Sequence, residues 1–260
     1  MHCPEQSHRM PLIQVFSQGE TDFRMCPACG IVFRKEFPGP AELEEIYRQA
    51  YSEARIRGGE TDQESGTFAS KAYARYLAAR VARRGQRVLD VGAGTGELVA
   101  LLRRSGLDAD GVEYSRAARD YCAQNRGIAL SEDFARLSPG SYDLITMIEV
   151  IEHVTDLRAT LSGARSLLKP GGRLFVTTPN RRNIRALIEK GHWREARKKF
   201  HLFLFDRASL ERHLSLGGYA RVENVAFAPV TKPGAMYWLA GRAMQAASMP
   251  GSRCVIAHRD

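Results

Sequence analysis

Long apolar runs are missing from this 260-residue chain; none approaches the roughly 18 residues that a membrane-spanning helix requires. The opening residues, MHCPEQSHRM, lack the apolar stretch of a secretory signal, so a cytoplasmic chain is expected. Cysteine is scarce and odd in number: Cys3, Cys26, Cys29, Cys122 and Cys254 make no disulfide framework, and reduced thiols are the default. Repeats and low-complexity tracts are absent. What is present, 44% apolar and 26% charged residues, belongs to a folded globular chain rather than a disordered, collagen-like or coiled-coil one. The length suits one full α/β domain with a small appendage.

Acid is in deficit, giving a net charge of +9. Arginine is scattered through helix-like segments, as on a solvated surface. One dense stretch, Arg181 to Lys199, also holds Trp193. It is open to three uses: recognition of an anionic group on a small molecule, contact with nucleic acid, or a solvated helix face.

Three textures divide the chain. Residues 1–40 are punctuated by Cys and Pro and end in Phe37-Pro38-Gly39-Pro40. Residues 41–84 carry Leu43, Ile46 and Tyr47, then Tyr73, Tyr76, Leu77 and Val81, at helical spacing, with polar loops expected at Gly58-Gly59 and Ser65-Gly66. From Gln86 onward short apolar strands alternate with helical segments. Strands are expected near 87–91, 108–113, 128–130, 142–148, 173–178, 220–226 and 253–258, with a sharp turn at Lys169-Pro170-Gly171-Gly172. Residues 235–248 read as a packing helix. This alternation means βαβ units and a mostly parallel sheet, with its ligand crevice outside the carboxyl ends of the strands.

The residues just after the first of these strands are the strongest signal. Val88-Leu89-Asp90-Val91 runs into Gly92-Ala93-Gly94-Thr95-Gly96 and then the helix opening at Glu97. A dinucleotide fingerprint read from Gly92 would need glycine where Glu97 stands, and the Gly-Lys-Ser/Thr of a phosphate loop is missing. Glu113, after the second strand, can accept both hydroxyls of a ribose. Ribose recognition without a phosphate cradle points to a nucleoside lacking pyrophosphate, of which S-adenosylmethionine is the common one.

The stretch Asp90–Gly96 resembles motif I of the class I S-adenosylmethionine-dependent methyltransferases. Tyr142-Asp143-Leu144-Ile145, then Glu149-Val150-Ile151-Glu152-His153-Val154, then Leu168–Leu174 and Thr178-Pro179-Asn180, resemble the subgroup of ubiquinone-biosynthesis and natural-product methyltransferases. The resemblance runs over residues 85–230. It implies a Rossmann-like α/β fold with a seven-stranded, mostly parallel sheet and helices on both faces. It also implies that Gly92, Ala93, Gly94 and Gly96 pass beside the donor, with Asp90 supporting the turn. Glu113 would hold the ribose, Tyr114 would pack on adenine, and Asp133 with Phe134 (or Glu132) would lie near the adenine amino group.

Glu149, Glu152 and His153 follow the fourth strand and share a face if they form one helical turn. Several roles are open: contact of Glu149 with the donor, His153 as general base, binding of a divalent cation by the three (which the resemblance supports), or simple fixing of the loop. His201, ahead of Leu202-Phe203-Leu204-Phe205-Asp206, is a second candidate base on the acceptor side, or a structural histidine.

Cys26-Pro27-Ala28-Cys29-Gly30 is half of a zinc knuckle. Cys3 and His8 are the candidate second half, though they depart from Cys-x-x-Cys. The expected organisation is therefore a ribbon-like segment (1–40), a helical lid (41–84) and a methyltransferase domain (85–260) with an acceptor-side insert (181–208). A small-molecule acceptor methylated on oxygen or nitrogen, a monomer or homodimer, no stable membrane insertion and no nucleic-acid partner are expected. The rivals are an RNA or DNA methyltransferase, which the Glu149–His153 segment disfavours because Asn/Asp-Pro-Pro-Tyr/Phe is missing there, and a non-catalytic cofactor-binding scaffold.

Overall fold

Short apolar runs broken by glycine and by capped helices produce parallel strands buried on both faces, and that pattern governs the chain from Arg87 onward. The computed structural model describes residues 12–18, 21–50, 63–227 and 251–260. Its main sheet is built from β4 (Arg87–Val91), β5 (Asp108–Val112), β6 (Tyr142–Ile148), β7 (Leu168–Pro179), β9 (Arg221–Asn224) and β10 (Ser252–His258). These six strands lie in the order β5-β4-β6-β7-β10-β9. The first four run parallel, and β10 is antiparallel to both its neighbours.

Each crossover helix is started by a specific residue. Glu97–Arg104 (α3) begins at Gly96 in the left-handed region, with Glu97 in the first turn and Arg103 and Arg104 in the last, matching the helix dipole at both ends. Arg116–Arg126 (α4) is capped by Ser115 and closed by left-handed Gly127. Leu157–Leu167 (α5) is capped by Asp156, and buries Leu157, Leu161, Ala164 and Leu167 along one stripe. Arg207–Leu216 (α8) opens with a reciprocal cap between Asp206 and Ser209.

Alternation along the strands feeds two cores. Leu89, Val91, Ile145, Met147, Leu174 and Val176 face α5 and α8. Val88, Leu144, Phe175 and Ile256 face α3 and the helix Gln63–Tyr76 (α2), which continues as a π turn over Leu77–Val81. Helices therefore cover both faces of the sheet.

A second sheet is antiparallel. Its first three strands, β1 (Ile13–Gln18), β2 (Thr21–Met25) and β3 (Val32–Arg34), come from the amino-terminal segment. Its fourth, β8 (Phe203–Leu204), comes from the far end of the 181–208 insert and completes the order β1-β2-β3-β8. The segment and the insert thus share one sheet. Cys26, Cys29, Ile31 and Phe33 join the same core as Leu89 and Val91. The helix Pro40–Ala50 (α1) follows. Ile184–Glu189 (α6) and Arg194–Arg197 (α7) are short helices of the insert.

Four expectations are corrected. Residues 128–130 form no strand, so the described main sheet has six strands rather than seven. A single parallel bridge, Val112 to Ser131, marks that edge. Leu130 instead folds down onto the bare backbone of Gly111, and the polar Ser131-Glu132-Asp133 that follows offers nothing to bury. Ser65-Gly66 lies inside α2, whose carboxyl-terminal half is held by buried Tyr73 and Ala74. Lys169–Gly172 is a bulge within a longer β7: Tyr142 pairs with Leu168 and Leu144 with Arg173, leaving the turn residues looped out between them. Glu149–His153 forms a bend and a turn, not a helix. Gly58-Gly59 and residues 235–248 lie outside the described residues.

Candidate active site

The carboxyl ends of β4, β5, β6 and β7 meet at one edge of the sheet, and four loops leave from there. After β4 the chain needs three residues with positive φ in close succession, and glycine supplies them: Gly92 at +73°, Gly94 at +53° and Gly96 at +74°. Two of these also make room. A Cβ on Gly96 would lie 2.2 Å from the Cys122 sulfur, and one on Gly92 would lie 2.5 Å from a methyl of Val150. The glycine turn therefore touches α4 on one side and the Glu149–His153 turn on the other.

Glu113 stands at the end of β5, 5% exposed. Its two oxygens accept from the backbone N–H of Gly94 (2.8 Å) and of Ser115 (2.7 Å). Burial raises its pKa while those two hydrogen bonds pull it down. The result is a carboxylate fixed by the glycine turn itself, with lone pairs left to accept hydroxyl donors, which is the donor–acceptor match a ribose requires. Asp90, inside the turn, takes a 2.6 Å hydrogen bond from the Thr146 hydroxyl, and burial pushes its pKa up to about 7. Tyr114 is 61% exposed beside Glu113.

The adenine-side candidates sit lower on the wall. Asp133 is exposed, and Phe134 rests against Gly163 of α5. Glu132 is paired to Arg136 at 3.2 Å.

Across the crevice the 149–153 turn is strained and buried. Glu149 holds φ +53°, a conformation that costs a non-glycine residue on the order of 1 kcal/mol or more. It is held there by its N–H donating to the Thr177 carbonyl at 3.0 Å, while the Thr177 hydroxyl donates to its side chain at 3.1 Å. Glu152 is 1% exposed and accepts from the Thr178 hydroxyl at 2.9 Å. Burial, and for Glu149 the neighbouring Glu152 charge, raise both carboxyls well above the usual range.

His153 donates from Nδ1 to the Phe200 carbonyl at 2.9 Å, which leaves the lone pair on Nε2. Nε2 stands 3.8 Å from Glu152 Oε1, an oxygen with no hydrogen-bond partner. Burial pushes His153 down to about 4, so the ring is neutral at pH 7. His201 packs edge-on against it, with ring centroids 4.6 Å apart, and is buried and held well below the usual histidine range for the same reason. Its Nδ1 has no partner either.

Glu152, His153 and His201 each offer a ligand atom, and these atoms lie within 4.8 Å of one another. Two unpartnered buried acceptors beside a free imidazole lone pair suit a divalent cation. Of the four cysteine-site candidates, Cys26 and Cys29 are buried at the β2–β3 turn, where Gly30 holds φ +74°. Cys3 and His8 lie outside the described residues.

Sequence reasoning missed two contributors. Tyr47 of α1, read only as an apolar helix position, lies over the crevice: its ring meets that of Tyr114 at 6.1 Å. Its hydroxyl is pushed up to about 12 by burial and then by the Glu113 and Glu152 charges, so it spans both halves of the site. A tyrosine where a leucine would pack as well was the only available signal. Glu195 is the second. It is paired with Lys198 at 2.6 Å and lies 3.8 Å from His201 Nε2, and nothing in its surroundings in sequence marks it.

Comparison with known proteins identifies the family. The methyltransferase domain family matches residues 63–224. A ubiquinone biosynthesis O-methyltransferase of Xanthomonas campestris pv. campestris (strain B100) is 40% identical over 115 residues, covering 41% of this chain and 48% of the relative. One from Methylococcus capsulatus is 32% identical over 116 residues, with the same coverage. The chain spans about half the length of the curated relatives it matches. Among solved structures, an S-adenosylmethionine-dependent methyltransferase of Mesorhizobium loti has a TM-score of 0.54 at 20% identity, covering 74% of this chain and 98% of that one. One from Archaeoglobus fulgidus has a TM-score of 0.55 at 18% identity, covering 73% and 92%. At these identities the structures speak for the fold.

Proposed function

The chain belongs to the methyltransferase domain family, and from that premise we propose that it transfers a methyl group from S-adenosylmethionine to a hydroxyl of a small-molecule acceptor, with an amine nitrogen as the alternative acceptor atom. The single observation that carries the reading is the Gly94 N–H handed to Glu113, which ties the glycine turn to a buried acceptor carboxylate. Gly92, Ala93, Gly94 and Gly96 would line the donor's amino-acid side with Asp90 behind them, Glu113 would take the ribose hydroxyls, and Tyr114 would pack on adenine. Asp133 and Phe134 remain the adenine-edge candidates.

When bound, the donor supplies a sulfonium methyl already activated for in-line displacement, so positioning carries most of the acceleration. The chain's part is to hold the acceptor in line and take its proton. His153 suits the second of these roles, because it is neutral at pH 7, its tautomer is set by the Phe200 carbonyl, and Nε2 is left to accept. His201 would back the ring, and Glu149 would bound the donor's amino-acid end. The relatives' names, which specify O-methylation, support the hydroxyl acceptor.

A cation-assisted form of the same reaction is favoured by one observation, the Glu152–His153–His201 cluster. An ion there would lower the pKa of an acceptor hydroxyl. The nucleic-acid rival loses ground because Glu149–His153 stands where Asn/Asp-Pro-Pro-Tyr/Phe would be needed. Steeply salt-dependent oligonucleotide binding would restore it.

Two further features are part of the proposal. Cys26 and Cys29 would form half of a structural zinc site, for which metal analysis should find one equivalent; protein free of zinc with unchanged melting overturns it. No described helix is long and apolar enough to cross a membrane. Among the described residues Cys26, Cys122 and Cys254 form no disulfide, which supports a reducing, cytoplasmic setting. The direct test of function follows isotope-labelled methyl from the donor into a panel of phenols and amines. Labelled ethers, abolished by His153→Gln, support the reading; labelled amines alone select the alternative acceptor atom, and no transfer contradicts it.

A further inference from the structure

We propose that Arg34, in the amino-terminal hairpin, is a positioning residue for His153. The hairpin would then act as a working part of the acceptor side rather than an appended module. The inference rests on the reading of His153 as the acceptor-side base.

Arg34 is a charged side chain only 6% exposed, at the end of β3. Its Nη2 donates to the carbonyls of Lys198 (2.9 Å) and Ala196 (3.2 Å), and its Nε to that of His201 (3.4 Å). Its backbone N–H donates to the Leu202 carbonyl at 2.8 Å, and the Phe23 ring lies beneath the guanidinium at 5.1 Å. One rigid, planar donor fork therefore gathers the carbonyls of a single turn, residues 196–201, and its geometry suits that role better than a lysine's point charge. The pairing of Val32 with Leu204 and Phe33 with Phe203 fixes the downstream end of the same stretch.

The opposite side of that stretch holds the site. Its Phe200 carbonyl takes the His153 Nδ1 proton, and the backbone N–H groups of Leu202 and Phe203 donate to the Glu152 carbonyl. The segment is thus clamped between Arg34 and the Glu149–His153 turn. The carbonyl that sets the His153 tautomer lies between two of the carbonyls that Arg34 holds. A histidine's second nitrogen is only as well directed as the partner of its first. Loosening the turn would let Phe200 swing, let water reach His153, and misdirect Nε2.

The test uses the full chain with Arg34→Met and Arg34→Lys. Nuclear magnetic resonance of labelled histidine rings, read without donor or acceptor, reports the His153 tautomer. Turnover and calorimetry with S-adenosylhomocysteine report the rest. Expected for Arg34→Met is loss of the single Nδ1–H tautomer as the Phe200 carbonyl is released. Turnover should fall about tenfold or more with donor affinity unchanged. Arg34→Lys should fall between this variant and the parent. If Arg34→Met does not fold, Arg34→Lys carries the test alone through the same ring signals. A His153 tautomer identical to the parent's in a folded variant overturns the proposal. Because the ring signals need no turnover, failure here is separable from failure of the methyl-transfer reading.

Discussion

The two walls of the crevice are built in opposite ways. The proposed donor wall is local: Asp90, the three glycines and Glu113 sit on two adjacent strands and the turns that follow them, and Gly94 bonds directly to Glu113. The acceptor wall is assembled from distant segments. The Glu149–His153 turn meets residues 195–203 and, behind them, Arg34 and Phe23 of the hairpin. A wall made by one βαβ unit can be preserved while the other is rebuilt around it. This difference makes the two walls separable by experiment.

The largest effect should come from His153→Gln, which removes the proposed base while leaving the donor wall alone. Turnover should fall by about 100-fold or more, with S-adenosylhomocysteine affinity unchanged. A matching loss of donor affinity would mean that the walls are not independent.

The converse break is Gly96→Ala. The new methyl would meet the Cys122 sulfur at 2.2 Å on a residue that holds φ +74°, and a cost of about 3 kcal/mol is expected from overpacking and backbone strain together. Denaturant melting should show that loss along with weakened donor binding. Equal stability would show that α4 moves aside freely.

Acidity sharpens the comparison because His153 and Asp90 titrate in opposite senses. His153 is pushed down to about 4, so the fold prefers its neutral form. That contribution is complete above the ordinary value near 6.5 and is lost as pH falls through 4, on the order of 3 kcal/mol in all. Asp90 is raised to about 7; its contribution is full below the ordinary value near 4 and fades as pH rises through 7. Stability measured against pH should therefore fall less steeply between 6.5 and 4 in His153→Gln than in the parent. Unchanged slopes would place the acid sensitivity elsewhere.

A divalent cation added to the parent should raise the melting temperature by a few degrees, more at pH 8 than at pH 6, because Glu152 must lose its proton to bind. Glu152→Gln should abolish the rise. A rise that survives in the variant removes the cluster as the ion's site. The smallest effect is expected from Tyr114→Ala, about 1 kcal/mol of donor affinity for one exposed ring, read by calorimetry.

Locality also decided what could be read before the structure. The strand–turn–helix of 87–104 announces itself because its glycines, its acidic first turn and its apolar strand are contiguous, and the bounds at Arg87–Val91 and Glu97–Arg104 agree with the structure. The edge strand expected at 128–130 failed because three apolar residues cannot say whether they will extend a ladder or, as Leu130 does, cover a glycine. Tyr47, Glu195 and Arg34 were invisible as site components because their partners lie far off in sequence. The pairing of β3 with β8 spans the whole methyltransferase fold, and no short motif encodes it.

The central claim is that the glycine turn and Glu113 form one donor-binding unit, and calorimetry with S-adenosylhomocysteine tests it most directly. The account predicts saturable binding to the parent and binding weaker by about 30- to 100-fold in Glu113→Ala, the worth of a buried carboxylate's hydrogen bonds. Equal affinity in the two proteins, or no heat with either, would contradict it.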